Sequence, residues 1–488
     1  MPASHAQSDA AVLAADTPVE RPVYDTVVIG AGIAGLTIAH RLNRAGNSVL
    51  VLEASGRVGG AIQTHRDGDF LVECGPNTVR GTHPEVGELI EEAGLLEERI
   101  VASRSAKKRY IVRGGKPVAM PMSPPAFIKT SLFSIRAKLR LAAEPFIRRA
   151  NPEKEETVAE FVHRRLGKEF LDYAIDPFVS GVHAGRPQDL SVSQVFPRLV
   201  EIEQRYGSLI LGQIRGASER KRRAEKPRSA APMFSFARGL DRLPRELARQ
   251  LGEAVLIGCT VTGFAREGRE WAVEYSDAAD RQQSVRSLSV VYCGGLQQAD
   301  LLKPLGPETD LLQGVYYPPL CVIALGYRRD DVGHPLDGFG LLVPSIEKRN
   351  ILGALFTSTL FEGRAPDGHV LITAFVGGSQ QPEMTNGDDQ RIIRTAEDDL
   401  RDLLDIHGRS VFRHVTRWPT AIPQYNLGYG GVKNALTALE KRHTGLFFAG
   451  NYRSGISVSD TIHFSYKISE TIGKYIAAQK TIRDEPTP

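Results

Sequence analysis

The sequence predicts an α/β fold, α+β overall, on three observations. Residues 24–29 form a β-branched, apolar run that passes through glycines at 30, 32 and 35. Apolar residues then recur at Ile33, Leu36, Ile38, Ala39 and Leu42, close to helical spacing. A second apolar run at 48–52 follows a Gly46-Asn47 turn, which completes a strand–helix–strand unit whose strands are expected to be parallel.

The remaining elements follow in chain order. A helical pattern spans 84–98, and 107–121 reads as a hairpin turning at Gly114-Gly115. Residues 124–224 are mostly helical in pattern. Strands return at 255–276 and 287–295, and a strand-rich block fills 317–378. The C-terminal part reads as helix, a strand at 445–450, and a last helix from about residue 459. No internal repeat is present. Nucleotide-type elements therefore open the chain, resume in the middle and close it, with other segments inserted between them.

At 488 residues the chain is longer than one core usually holds, so two or three domains are expected. An apolar fraction of 42% with 24% charged residues excludes general disorder, and a net charge of +4 does not point to nucleic acid. Cys74, Cys259, Cys293 and Cys321 are widely separated and form no CxxC, so buried free thiols are expected rather than disulfides or a metal site. Residues 1–22 are small and polar, without the features of a secretory signal or transit peptide, and read as a disordered lead-in. No run is apolar over the roughly 18 residues a membrane-spanning helix needs.

Gly30, Gly32 and Gly35 form a G-x-G-x-x-G turn between strand and helix. The first glycine allows the tight turn, the second lets backbone approach a diphosphate, and the third lets helix pack close to strand. The helix N-terminus adds free N–H groups and partial positive charge. Glu53 lies 18 residues past Gly35 at the end of the second strand, where an acid accepts the ribose hydroxyls of an adenosine.

The stretch EASGRVGG continues from Glu53 with Arg57, Gly59 and Gly60. This resembles the R-x-G-G extension of FAD-dependent oxidases in the amine-oxidase superfamily, where it lines the pyrophosphate and approaches the flavin. The late stretch GLFFAGNYRSGISVSD (445–460) is similar to the glycine-rich turn that meets the isoalloxazine in that group. The resemblance implies a discontinuous Rossmann-like FAD domain with an inserted strand-rich substrate domain and a mostly helical, membrane-associating domain. The cofactor residues it implies are Gly30, Ala31, Gly32, Ile33, Ala34 and Gly35 at the turn, then Glu53, Ala54, Arg57, Gly59, Gly60 and Ala61. Gly75, Pro76, Asn77 and Thr78 follow, with Val261 near the adenine, Trp418 near the flavin, and Asn451, Ile456, Ser457 and Val458 at the flavin end.

Outside the cofactor elements, VECGPNTV (72–79), KKRYIVRGGKPVAMPMSPPAF (107–127), DPFVSGVHAGRPQDLSV (176–192), GFGLLVPS (338–345), FEGRAP (361–366) and RWPTAIPQYNLGY (417–429) resemble oxygen-dependent protoporphyrinogen oxidases, most closely the bacterial type. The resemblance implies FAD-dependent oxidation of protoporphyrinogen IX to protoporphyrin IX in haem biosynthesis, with molecular oxygen as acceptor and hydrogen peroxide as product. Coproporphyrinogen III is the alternative substrate, an amine or carotenoid a more distant one, and a tetrapyrrole carrier without turnover another class. A porphyrinogen is a large apolar disc with carboxylates on its edge, so the site needs an apolar slot and a well-placed cation. By the resemblance Arg109 faces a propionate, while Leu342 and Phe361 sandwich the macrocycle and Phe375 and Gly181 line the same pocket. From the residues alone, Arg109 could end a solvated basic run, and Leu342 and Phe361 could be ordinary core. No acid/base residue stands out; His183 reads first as a packing residue. VVYCGG (290–295) departs from the small-residue-plus-proline pattern of the family.

Residues 124–149 hold six Lys/Arg and one acid, Glu144, interleaved with large apolar residues, as an interfacial helix pair requires. A peripheral membrane surface, on the cytoplasmic inner face of the cell membrane, is therefore expected. A homodimer and product hand-over to a ferrochelatase are further partner expectations, with the oligomeric state left open. Residues 215–228 carry seven Lys/Arg and two acids and read as a mobile loop without the aromatic platform of a nucleic-acid binder. The domain boundaries read as a lead-in at 1–22, cofactor-domain parts at 23–83, 229–300 and 431–478, and substrate-domain parts at 84–122 and 301–430. The helical domain covers 123–215, the basic loop 216–228 and a tail 479–488.

Overall fold

The computed structural model describes residues 23–151, 153–222 and 231–484. The lead-in at 1–22 lies outside them.

Two seven-stranded sheets organise the chain. The first runs in the order Val255–Ile257, Val49–Glu53, Val23–Ile29, Gln282–Tyr292, Glu270–Ser276 and Thr260–Glu267, and Leu446–Phe448 also pairs with Gln282–Tyr292. Val23–Ile29 is parallel to both of its neighbours, with Val28 opposite Val51 on one side and Val291 on the other. Successive side chains of a strand point to opposite faces. Val28 and Val51 accordingly pack with the helices Ile33–Arg44, Arg242–Leu251 and Val458–Asp484. Val27 and Leu50 pack on the other face with the helix Tyr429–Arg442.

The second sheet runs Phe412–Trp418, Leu320–Arg328, His369–Gly377, Ile351–Leu355, Gly338–Leu342, Lys108–Arg113 and Lys116–Ala119. The last two are the expected hairpin. One face buries Ile323, Leu325, Ala374 and Val376 against Ile392, Ala396 and Leu400 of the helix Asp389–Leu404. The opposite face carries Leu342 and Phe375, which oppose the same residue, Gly353, in register.

Between the hairpin and residue 222 the chain is helical, with a core of Val158, Phe161, Val162, Val179 and Leu209. Glu144, the lone acid of the basic stretch, is fully buried here. Its carboxylate lies 2.7 Å from Arg165 Nη2 and accepts the Leu209 N–H at 2.9 Å, which caps the next helix. A buried guanidinium and carboxylate that satisfy one another avoid the desolvation penalty either would carry alone.

Two segments differ from the sequence reading. The helix Leu209–Arg222 continues through the first part of the basic stretch expected as a loop from 216, because Ala, Glu, Arg and Lys are good helix formers; residues 223–230 lie outside the described ones. The last helix, Val458–Asp484, runs past the expected tail boundary at 479. Among the described residues no helix is long and apolar enough to cross a membrane, and the four cysteines are free.

Candidate active site

The glycine turn folds as a cradle. Gly30 has φ +106° and packs against the backbone of Cys293 and Gly294, so the departure VVYCGG supplies the turn's far wall by backbone alone. A Cβ on Gly35 would fall inside contact distance of the Gly30 carbonyl, so only glycine lets helix and strand approach this closely. Gly32 occupies the N-cap of the helix Ile33–Arg44 without a side-chain cap, which leaves first-turn N–H groups available to an anion. Ala31 and Ala34 are buried beneath.

The R-x-G-G loop closes onto this turn. Gly59 N donates to the Ala31 carbonyl at 2.8 Å, Gly32 and Gly59 form a bridge, and Arg57 Nη2 donates to the Gly60 carbonyl at 2.8 Å. Glu53 accepts the Ala31 N–H at 2.7 Å and the Ser55 hydroxyl at 2.7 Å. It also accepts the Ser55 N–H at 2.9 Å, and since a carboxylate has about four lone-pair sites, one remains for a ribose hydroxyl. Ala54 and Ala61 are exposed, and Val261 sits on Thr260–Glu267 opposite Tyr275. A hollow of about 320 Å³ opens beside Arg57, Val58, Gln63, Asp241 and Arg245. A separate hollow of about 430 Å³, lined by Glu155, Glu203 and Asn434 among others, contains none of the expected site residues.

Trp418 ties the second sheet to the loop after Phe70–Glu73: its Nε1 donates to the Cys74 carbonyl at 2.7 Å, next to Gly75. Asn77 Nδ2 donates to the Gly75 carbonyl at 2.9 Å, while Asn77 Oδ1 is buried without a partner. That orphaned acceptor, the glycine cradle and the open helix N-terminus fit a dinucleotide carrying a hydrogen-bonding ring system. At the far end, Asn451 opens the short helix Asn451–Ser454, and its carbonyl accepts from the Tyr425 hydroxyl. Ser457 accepts the Asp460 N–H at 3.0 Å at the head of the helix Val458–Asp484, and Ile456 lies half-buried between them.

The substrate candidates divide. Ile111 of the hairpin pairs with Leu342, and Arg109, two residues earlier, shares its strand face. Arg109, Leu342, Gly353 and Phe375 therefore lie on one face of the second sheet. Leu342 packs with Ile111, Leu132 and Phe133, and Phe375 with Ala184, Leu320 and Leu352. Gly181, on the helix Asp176–His183, abuts Leu342. Phe361 is only 3% exposed and packs with Ala106, Leu360 and Phe339. Phe339 in turn meets Arg109, with the guanidinium 5.7 Å from its ring centre. Burial and the charge of Arg80 both weaken the hold of Arg109 on its proton.

Several groups have no sequence signature. Glu73 is buried beside Cys74, accepts from the Thr64 hydroxyl at 2.7 Å and the Leu240 N–H at 2.9 Å, and lies 3.7 Å from Arg364. Burial dominates, pushing its carboxyl up to about 7. His183 packs edge-on against Phe196 and burial lowers it to about 4, so it is neutral at neutral pH. His83, Glu85 and His463 bring ligand atoms within 4.8 Å of one another. The two rings stack at 4.0 Å and 15°, so their in-plane lone pairs run side by side rather than converging. Each ring instead meets a carboxylate, His83 with Asp460 at 3.1 Å and His463 with Glu85 at 2.9 Å.

Comparison with known proteins gives the family. Residues 33–463 match the profile of the flavin containing amine oxidoreductases. Protoporphyrinogen oxidase 2 of Arabidopsis thaliana is 32% identical over 92% of this chain and 94% of its own length. Coproporphyrinogen III oxidase of Bacillus subtilis (strain 168) is 25% identical over 89% of this chain and 95% of its own. A solved, provisionally named protoporphyrinogen oxidase from Exiguobacterium sp. 255-15 superposes with a TM-score of 0.78 at 21% identity, covering 92% of this chain and 98% of that one, a likeness of fold. The chain thus belongs to the flavin-containing amine oxidoreductases, an FAD-dependent oxidoreductase family, and within it to the group of the protoporphyrinogen oxidases.

Proposed function

We propose that this protein oxidises protoporphyrinogen IX to protoporphyrin IX. The observation that carries the proposal is the sheet face on which Arg109 stands beside the apolar trough of Leu342, Gly353 and Phe375, tied to the cofactor cradle through Trp418 and Cys74. When bound, FAD supplies a two-electron acceptor at its ring. The chain's own residues then bind and orient. The trough takes the apolar disc. Arg109 takes a propionate, its planar fork matching two carboxylate oxygens. Phe361 supports the slot from behind through Phe339. Gly181 keeps the wall at Leu342 thin. The family likeness assigns no side-chain base, so holding the substrate in one attack geometry is the main contribution of the protein. Over the full reaction the substrate loses six protons and six electrons, which three oxygen molecules take up to become three of hydrogen peroxide.

The roles read for Gly30 to Gly35, Glu53, Arg57 to Ala61, Gly75 to Thr78, Val261, Trp418, Asn451 and Ile456 to Val458 belong to the same proposal, as do the discontinuous domain boundaries. Peripheral attachment to the inner face of the cell membrane is supported by the helices Pro124–Lys129 and Ile135–Ala142. Along these helices and the turn Glu144–Phe146 that follows, Ile128, Ile135 and Phe146 are 72%, 76% and 89% exposed, near Lys129, Arg136, Lys138 and Arg148 in the sequence. Molecular oxygen as acceptor, a homodimer and product hand-over to a ferrochelatase follow from family likeness. Coproporphyrinogen III, with four carboxylates, is the second reading, favoured by the Bacillus subtilis relative.

Oxygen uptake and porphyrin fluorescence, followed with each porphyrinogen in turn, test the proposal. Faster turnover of protoporphyrinogen is expected. Oxidation of an amine with neither porphyrinogen consumed would overturn it.

A further inference from the structure

The geometry points to Arg80 as a second carboxylate-binding residue of the substrate slot, which with Arg109 forms a two-guanidinium site for two carboxylates on one edge of the ligand. The inference rests on the porphyrinogen reading.

Arg80 ends the short strand Val79–Arg80, directly after the expected cofactor residues Gly75 to Thr78, and pairs with Met233. Its carbonyl accepts from the Ser459 hydroxyl at the head of the last helix, so its backbone is fixed at the flavin end. From Met233 the wall continues without a break. Ala102 N donates to the Met233 carbonyl at 2.8 Å, and Ser103 N donates to the Leu360 carbonyl at 2.9 Å. Leu360 and Phe361 pack against Phe339, over which Arg109 lies. Arg80 on Met233 and Arg109 on Phe339 thus stand along one continuous wall, linked through Ala102, which bonds Met233 and packs in the same cluster as Phe339.

Both guanidinium groups are half-buried, and neither forms an ion pair among the described residues. The one side-chain partner of Arg80 is the Met233 sulfur, at 3.7 Å from Nη2. Two like charges side by side without a counter-ion are unfavourable, and the arrangement becomes favourable once an anion stands between them. Other half-buried arginines are paired with carboxylates, as Arg113 with Glu169 and Arg164 with Glu203, or donate to backbone carbonyls, as Arg57, Arg140 and Arg329 do. Among the described residues Arg80 and Arg109 have neither kind of partner. Protoporphyrinogen brings two adjacent propionates, one for each fork.

The test uses flavin-loaded wild-type enzyme and the variants Arg80→Gln, Arg80→Lys and Arg109→Gln. KM and kcat are measured with protoporphyrinogen, with its dimethyl ester, in which both carboxylates are masked, and with coproporphyrinogen. Losing one charged hydrogen-bond partner should raise KM for the free acid about tenfold or more in Arg80→Gln, with kcat within about twofold. Arg80→Lys should recover part of that loss. For the diester, wild type and Arg80→Gln should behave alike. An unchanged KM for the free acid, or an equal loss for acid and diester, overturns the inference and leaves the porphyrinogen reading standing. A larger effect with coproporphyrinogen than with protoporphyrinogen assigns the site to the four-carboxylate substrate and overturns the two-carboxylate form of the inference. A wild type that oxidises neither porphyrinogen overturns the reading itself.

Discussion

Gly181 and Leu342 meet so closely that a Cβ on the glycine would stand under 3.0 Å from Leu342 Cδ2. Gly181 lies on a helix anchored to the sheet by Asp176, which accepts the Ser345 N–H at 2.7 Å and the Gln380 amide at 3.1 Å. The helix cannot simply back away, and the half-buried Leu342 must swing. Gly181→Ala should therefore lower kcat/KM about tenfold, at an overpacking cost of about 1–3 kcal/mol. The double variant Gly181→Ala/Leu342→Ala should recover much of the loss, because it restores the space. Steady-state kinetics of the four-member cycle decides; additive losses would show that the two residues do not share one wall.

The Trp418 Nε1–H to Cys74 carbonyl bond ties the second sheet to the loop that leads into Gly75. Trp418→Phe keeps the ring bulk and removes this donor, leaving the Cys74 carbonyl without it. A net hydrogen bond contributes about 1 kcal/mol, so FAD affinity should fall about fivefold with the fold retained. Flavin release on dilution, followed by fluorescence, measures it.

Glu73 gives stability a pH dependence of definite sign. Its carboxyl, normally near 4.5, is raised by burial to about 7, with Thr64, Arg364 and the Leu240 N–H opposing and Asp241 assisting. Between those two values the native state holds a proton that the unfolded chain has released. The associated stability is fully present below about 4.5 and is lost as pH rises through about 7. The local slope is about 1 kcal/mol per pH unit. Glu73→Gln mimics the protonated acid and should flatten the fall in Tm between pH 5 and about 8, read by thermal unfolding across that range.

The exposed apolar residues of the basic helices predict membrane binding without a stability role. Replacing Ile135 and Phe146 together by Ser should leave Tm nearly unchanged, since exposed substitutions typically shift stability by less than about 0.5 kcal/mol. Binding to vesicles containing anionic lipid should fall more than about tenfold, given roughly 1.5–3 kcal/mol for burying each large apolar side chain. Flotation with anionic and neutral vesicles tests this; equal flotation of variant and wild type would place the attachment elsewhere.

What the sequence revealed and what it hid have separable causes. The Gly30–Gly35 turn, the parallel unit around it and the Gly114-Gly115 hairpin are local, and their backbone rules can be read from a few neighbouring residues. Arg80 was invisible because its strand is two residues long and its partner Met233 lies 153 positions away. Phe339 was missed because the pairing with the hairpin strand shifts register between Gly338 and Leu341, with Gly340 at φ +152°. Phe361 follows the short helix Thr357–Leu360 and is buried, a position its residue type alone did not fix. Glu73 looked like any strand-end acid; only the folded chain brings Arg364 and Leu240 around it. The charge run after Arg215 suggested a loop, although its residue types favour a helix through Arg222.

The most direct measurement is the visible spectrum of the purified holoprotein mixed with protoporphyrinogen in the absence of oxygen. The account predicts an oxidised flavin spectrum that bleaches on mixing and returns on admitting air, with porphyrin fluorescence growing as it does. A protein that stays colourless when supplied with FAD, or a flavin that keeps its colour with protoporphyrinogen yet bleaches with an amine, would contradict it.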